Sequence, residues 1–232
     1  MKLPQPLHTG TLICRYKRFL ADVELTTGEI VTAHCPNSGS MMGCAAPGNP
    51  VLLSFNDSPH RKLRYTWELV QANGLWVGIN TGLPNKLTHE AIEKGIISEL
   101  AGYETIRPEV KYGENSRIDL LLSGPPGLCY VEVKNVTLVK GDLALFPDAV
   151  TLRGQKHLHE LMRMVQAGHR AVIFFVVQRS DANCLSPADA IDPEYGRLLR
   201  LAVNNGVEAL AYQAEVQPRE IVLARPLPVL LD

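Results

Sequence analysis

The segment Ser123-Gly124-Pro125-Pro126-Gly127-Leu128 joins "RIDLLL" to "YVEVK" and leaves this part of the chain little choice but an antiparallel hairpin. Neither proline can donate a ladder hydrogen bond, and the flanking glycines permit a sharp reversal. With the turn centred between the prolines, residue i faces residue 251 − i. Asp119 then lies opposite Glu132 and Arg117 opposite Lys134, all on one face. Ile118, Leu120, Val131 and Val133 form the apolar other face.

Like charges directly opposite one another are normally avoided. Two carboxylates about 5 Å apart repel by roughly 3 kcal/mol at an effective dielectric near 20. A divalent cation between them reverses the sign, because a hard ion takes oxygen ligands. Relief by water, or by Arg117 and Lys134, is the alternative. Two further polar residues fall on apolar helical stripes: Glu99, after Ile92 and Ile96, and Gln155, before Leu158 and Met162. Lys134, two residues beyond Glu132, is placed to hold and polarise an attacking water. Together these are the parts for metal-assisted phosphodiester hydrolysis.

The hairpin sits in a chain whose grammar changes near Gly82. Before it come short candidate strands, Thr11–Tyr16, Phe19–Leu25, Ile30–His34, Pro50–Phe55, Thr66–Gln71 and Trp76–Asn80, broken by Gly, Pro and Asn. That pattern suits a small OB-type β-barrel over residues 1–81. After it, a helix over Asn85–Tyr103, the hairpin, a helix over "TLRGQKHLHELMRMVQAG", the buried strand "AVIFFVVQ", a helix capped by Asp192 and Pro193, and the strand "VEALAYQAEV" predict an α/β domain over residues 82–232.

The 232-residue chain carries a net charge of −1, split as +2 over residues 1–80 and −3 over the rest. The basic residues of the first part cluster with aromatics: Arg15, Tyr16, Lys17, Arg18 and Phe19, then Arg61, Lys62, Arg64 and Tyr65. Such clusters can follow a phosphate backbone and stack bases. Solvated loop charge is the other reading. No apolar run is long enough to cross a bilayer, and "MKLPQPLHTG" lacks the apolar core of a signal peptide. Five cysteines without C-x-x-C point to reduced thiols in a cytoplasm. His34 and Cys35 are adjacent and would point to opposite faces of a strand, which disfavours a zinc site with Cys44. The loop "HCPNSGSMMGC" reads either as a strand-ending loop or as a phosphate-contacting one. No Gly-rich nucleotide loop or paired glycosidase acids stand out, so a sugar-metabolising enzyme has little support.

Glu99, Asp119, Glu132-x-Lys134 and Gln155 resemble the core of the PD-(D/E)xK nuclease superfamily, with Ile118 where proline often precedes the aspartate. A match along almost the whole chain, through "RYKRFLADV", "HCPNSGSMMGC", "TWELV", "ISELAGY", "VKYGENSRIDLLL", "YVEVKNVTL", "FPDAVTLRGQKHLHEL" and "RAVIFFVVQ", is similar to the sugar fermentation stimulation protein A family. The resemblance implies an OB-like domain followed by a nuclease-like domain. It implies DNA as partner, single-stranded DNA or RNA included, and Mg²⁺ or Mn²⁺ as cofactor. Asp119, Glu132 and the Val133 backbone carbonyl would hold the ion, and Glu99 would support it through water. Lys134 would position the nucleophile, and Gln155 would orient Lys134 or a phosphate. A non-catalytic DNA-binding regulator of sugar-utilisation (maltose-type) genes is the alternative implied by the same family.

Overall fold

The computed structural model describes residues 1–113 and 116–232. Glu114 and Asn115, inside the "VKYGENSRIDLLL" segment, lie outside that description. The first part forms β1 (Leu7–Tyr16), β2 (Leu20–Leu25), β3 (Ile30–His34), β4 (Pro50–Phe55), β5 (Tyr65–Ala72) and β6 (Leu75–Gly78). β1 pairs with β2 on one side and β4 on the other, and β3 closes onto β5 through Ala33–Tyr65 and His34–Thr66. The first five strands thus make a closed barrel with β6 added to β5, filled by Leu12, Val23, Val31, Leu53 and Trp67. Closure removes the free edges that a sheet of such short strands would expose.

The second part runs α1 (Pro84–Glu93), β7 (Thr105–Tyr112), β8 (Ser116–Gly124), β9 (Gly127–Val136), β10 (Leu138–Lys140), β11 (Leu143–Phe146), α2 (Leu152–Gln166), β12 (Arg170–Val177), β13 (Cys184–Pro187), α3 (Pro193–Asn204), β14 (Glu208–Val216) and β15 (Ile221–Leu227). Its main sheet has the order β15-β14-β12-β9-β8-β7, and β10, β11 and β13 form a small separate sheet. Residues 171–177 of β12 are fully buried, as a strand covered on both faces requires. Leu87, Ala91, Val131, Val133 and Phe174 pack on the α1 side, and Leu158, Leu161, Ile173, Phe175 and Leu199 on the side of α2 and α3. The hairpin register follows from the turn: Leu120 faces Val131 and Gly124 faces Gly127.

The first helix is shorter than its apolar spacing predicts. Gly95, at φ 68°, ends it with a Schellman pair, Ile96 N–H to Ala91 O and Gly95 N–H to Ile92 O. Residues 98–100 then form a separate 3-10 turn. The domains also interlock. Leu3, ahead of β1, joins the α/β core and donates its N–H to Arg219 O, and Leu52 and Leu69 of the barrel pack in that same core. Leu69 is 0% exposed at this junction. Leu69→Ala therefore costs about 2–5 kcal/mol, and denaturant melting of the variant remains a single transition at a lower midpoint. Two separated transitions would show that the barrel and the sheet do not share a core.

Candidate active site

β9 lies inside the main sheet, flanked by β8 and β12. Its alternation puts Val131 and Val133 on the α1 side and Glu132 and Lys134 on the other. There Glu132 is 2% exposed, and its Oε1 accepts hydrogen bonds from Lys134 Nζ at 2.6 Å and from His157 Nδ1 of α2. Arg153 Nε donates to His157 Nε2 at 3.4 Å, which assigns the ring hydrogen to Nδ1, toward the carboxylate. Glu132 Oε2 is buried with no hydrogen-bond partner among the described residues. Burial opposes ionisation of Glu132, yet Lys134 and His157 outweigh it and hold the carboxyl below its ordinary value.

Asp119 sits where the hairpin parts. The β8–β9 ladder ends at Leu120–Val131, and the next N–H, that of Val133, donates to Asp119 Oδ2 at 2.7 Å. Asn85 at the start of α1 donates to Asp119 Oδ1 at 2.8 Å. Beyond this point Ile118 joins the α2-side cluster, not the α1-side face expected for it, and Arg117 faces Lys111 of β7. Burial and the neighbouring Glu132 charge push the Asp119 carboxyl up to about 6 against the Val133 N–H, Lys134 and Asn85.

Both acids and Lys134 line a cleft of about 540 Å³. One wall is the barrel, through Arg18 and the loop Asn37-Ser38-Gly39; the other runs from Phe146 through Arg153 into α2. The walls are bolted together at Asp148. Its carbonyl accepts from Ser40 Oγ at 2.6 Å, its Oδ2 accepts from the Met41 N–H at 2.9 Å, and a Cβ on Gly39 would lie 2.6 Å from its Oδ1. The loop that admitted two readings in the sequence therefore forms a wall of the cleft.

Two expected site residues stand elsewhere. Glu99 follows the break at Gly95 and lies in the 3-10 turn, where its carboxylate accepts from Tyr212 OH at 2.7 Å; it does not line the cleft. Gln155 Nε2 instead donates to Asp192, the N-cap of α3, at 2.9 Å. The buried stripe of α2 runs through Gly154, His157, Leu158 and Leu161, so His157 takes the place expected of Gln155. That i, i+3, i+4, i+7 spacing was available in the sequence. Asn85, at the first turn of α1, carried no such signal. Among the described residues no group of three or more His, Cys, Asp or Glu is gathered as an ion site.

The basic clusters divide by role. Arg15 spends its guanidinium on the backbone, donating to the carbonyls of Arg18, Asn37, Gly39 and Ser40, and Tyr16 OH donates to Asp22. Lys17, Arg18 and Phe19 are exposed on the β1–β2 turn, and Arg18 faces the cleft. Arg61 donates to Thr66, Arg64 pairs with Asp57, Lys62 is exposed, and Tyr65 packs its ring on His8 and Phe55. His34 faces Leu20 on one side and Thr66 on the other, so the two clusters flank the same end of β3.

A family model described as the sugar fermentation stimulation protein RE domain matches residues 82–220, and one described as the SfsA N-terminal OB domain matches residues 13–79. A sugar fermentation stimulation protein homolog of Geotalea uraniireducens is 69% identical across 99% of both chains, and one of Geobacter metallireducens is 69% identical across 100% of both. The solved structure of Pyrococcus furiosus SfsA in complex with Ca²⁺ superposes with a TM-score of 0.89 at 30% identity, covering 99% of each chain.

The raised Asp119 value has a stability consequence. Between about pH 4 and 6 the folded protein holds a proton on this carboxyl that the unfolded chain has released, so the group's contribution becomes less favourable as pH rises through that window. Asp119→Asn keeps an acceptor for Val133 and removes the charge. Denaturant titration should find the variant more stable than wild type by about 1–3 kcal/mol at pH 7 and nearly equal at pH 4. A variant less stable at pH 7 would mean that Lys134 and Asn85 already compensate the charge in full.

Proposed function

The chain belongs to the sugar fermentation stimulation protein family, and on that premise we propose that it binds DNA and hydrolyses phosphodiester bonds in the cleft between its two domains, with Mg²⁺ or Mn²⁺ as cofactor. The barrel over residues 1–81 is the nucleic-acid-binding part and residues 82–232 the nuclease-like part. The observation that carries the reading is the pairing of Glu132 Oε2, buried and without a partner among the described residues, with an Asp119 carboxyl raised in pKa by the same neighbourhood. A site in which Asp119 is left undercompensated and carboxylate oxygens are to hand fits a hard divalent cation. That the solved Pyrococcus furiosus SfsA is a Ca²⁺ complex supports a divalent cation here.

Asp119, Glu132 and the Val133 carbonyl would hold the ion, which supplies Lewis acidity and shields the phosphate. The chain's own groups do the rest. Lys134 Nζ, held on Glu132 and beside His157, is placed to orient a water and to meet developing negative charge. Asn85 and the Val133 N–H fix the Asp119 rotamer. Arg18 and Arg153 offer positive charge from opposite walls for the flanking phosphates. Asp148, which joins the walls, keeps them at a fixed separation. Five free thiols fit action on nucleic acid in the cytoplasm.

The test is incubation of labelled single- and double-stranded DNA and RNA with Mg²⁺, Mn²⁺ or EDTA. Wild type cleaves with metal and not with EDTA, and millimolar Mg²⁺ or Mn²⁺ raises its melting temperature by several degrees. Asp119→Ala loses both effects. Lys134→Ala keeps the metal-induced stabilisation and loses cleavage by about a hundredfold or more. DNA binding with neither cleavage nor a metal-dependent melting shift would instead identify a non-catalytic regulator of the sugar-utilisation type.

A further inference from the structure

The rim of the cleft carries an apolar feature that hydrolysis does not use. Val150 and Leu152 are 66% and 76% exposed, more than any other large apolar side chain among the described residues, and both line the cleft that holds Asp119, Glu132 and Lys134. The segment that carries them is held on both sides. Asp148 is bonded to Ser40 and Met41 of the barrel loop. The Thr151 N–H donates to Asp192 Oδ2 at 2.8 Å, and Thr151 Oγ1 caps α2 by accepting from the Gly154 N–H at 3.0 Å. Thr151, between them, is thus anchored at both its backbone and its side chain.

The surroundings specify the occupant. Arg18 faces the cleft from the opposite wall, on a turn with φ 65°, and the neighbouring Phe19 is itself exposed. Arg153 follows directly on the apolar pair. A rigid aliphatic edge bordered by cations, beside a carboxylate pair, presents apolar surface to a molecule that is anionic along its backbone and flat and apolar in its interior. Nucleic acid has that combination, and apolar side chains entering between base steps are a known way of unstacking it.

Resting on the nucleic-acid reading above, we propose that Val150 and Leu152 form an unstacking edge that enters the base stack at the cleft. The substrate class is accordingly DNA in which a base leaves its stack at low cost, a mismatched or single-stranded site, in preference to uninterrupted duplex. Unstacking costs a few kcal/mol and is least where pairing is already broken, which turns the edge into a selector.

The experiment uses full-length protein in EDTA, so that cleavage does not intervene, with duplexes carrying 2-aminopurine beside a mismatch or in a matched context. Anisotropy reads binding and 2-aminopurine fluorescence reads unstacking. Wild type should bind the mismatched duplex about tenfold more tightly than the matched one, with a rise in fluorescence. Val150→Ser/Leu152→Ser should lose the rise and the preference while keeping its melting temperature and matched-duplex affinity. Binding by wild type without a fluorescence rise overturns the proposal, as does a rise that persists in the double variant. A change in sedimentation on mutation would assign the edge to contact with a second copy and overturn it equally. Flat anisotropy with every DNA, in EDTA and again with Mg²⁺, overturns the nucleic-acid reading itself, and this proposal with it.

Discussion

A carboxylate taken out of water loses several kcal/mol of hydration, so Glu132 at 2% exposure must be compensated on the spot or give up its charge. Lys134 and His157 supply that compensation on one oxygen, while the other has no partner among the described residues. Much of the architecture serves this arrangement. β9 has to be an interior strand for Glu132 to be dry. α2 has to cross with its 154-157-158-161 stripe inward for His157 to arrive. The hairpin has to part at Leu120 for Asp119 to reach the Val133 N–H instead of continuing the ladder. Asp119 then carries the electrostatic cost, visible as a carboxyl pushed up to about 6.

The barrel makes this acidic pair into a cleft. Its outer face contributes Leu52 and Leu69 to the α/β core, which fixes the two domains as one packed unit. Two polar devices then bring the 36–44 loop to the site. Arg15 gathers four carbonyls around its guanidinium, and Asp148 receives Ser40 and Met41 from across the cleft. The cost of leaving a buried or half-buried carbonyl unpaired makes such a multidentate arginine a structural staple. Its N–H donors are thereby engaged, whereas Arg18 is exposed and faces the cleft.

The parts legible in the sequence are those set by local chemistry. The two-proline turn determines the hairpin register, so Leu120 opposite Val131 could be read in advance. Gly, Pro and Asn mark the barrel strands closely, and Asp192 with Pro193 mark the start of α3. What was missed depended on tertiary context or on one glycine. Gly95 cut the first helix and carried Glu99 away from the cleft. On α2 the sequence singles out Gln155, whereas the fold brings His157, two residues on, to Glu132. β11 and β13 pair only in parallel and across a long connection, and no local periodicity foretells that. Arg15 and Arg18 belong to one basic cluster in the sequence and differ only in what the fold places next to them.

On the proposed function, Asp119 and Glu132 jointly hold a divalent cation. The most direct measurement is an anomalous difference map from crystals soaked in Mn²⁺. A single strong peak between the Asp119 carboxylate and Glu132 Oε2, with Lys134 still on Oε1, is the expected result. A peak at a different acidic site, or Mn²⁺-soaked crystals that bind no ion in this cleft, would contradict it.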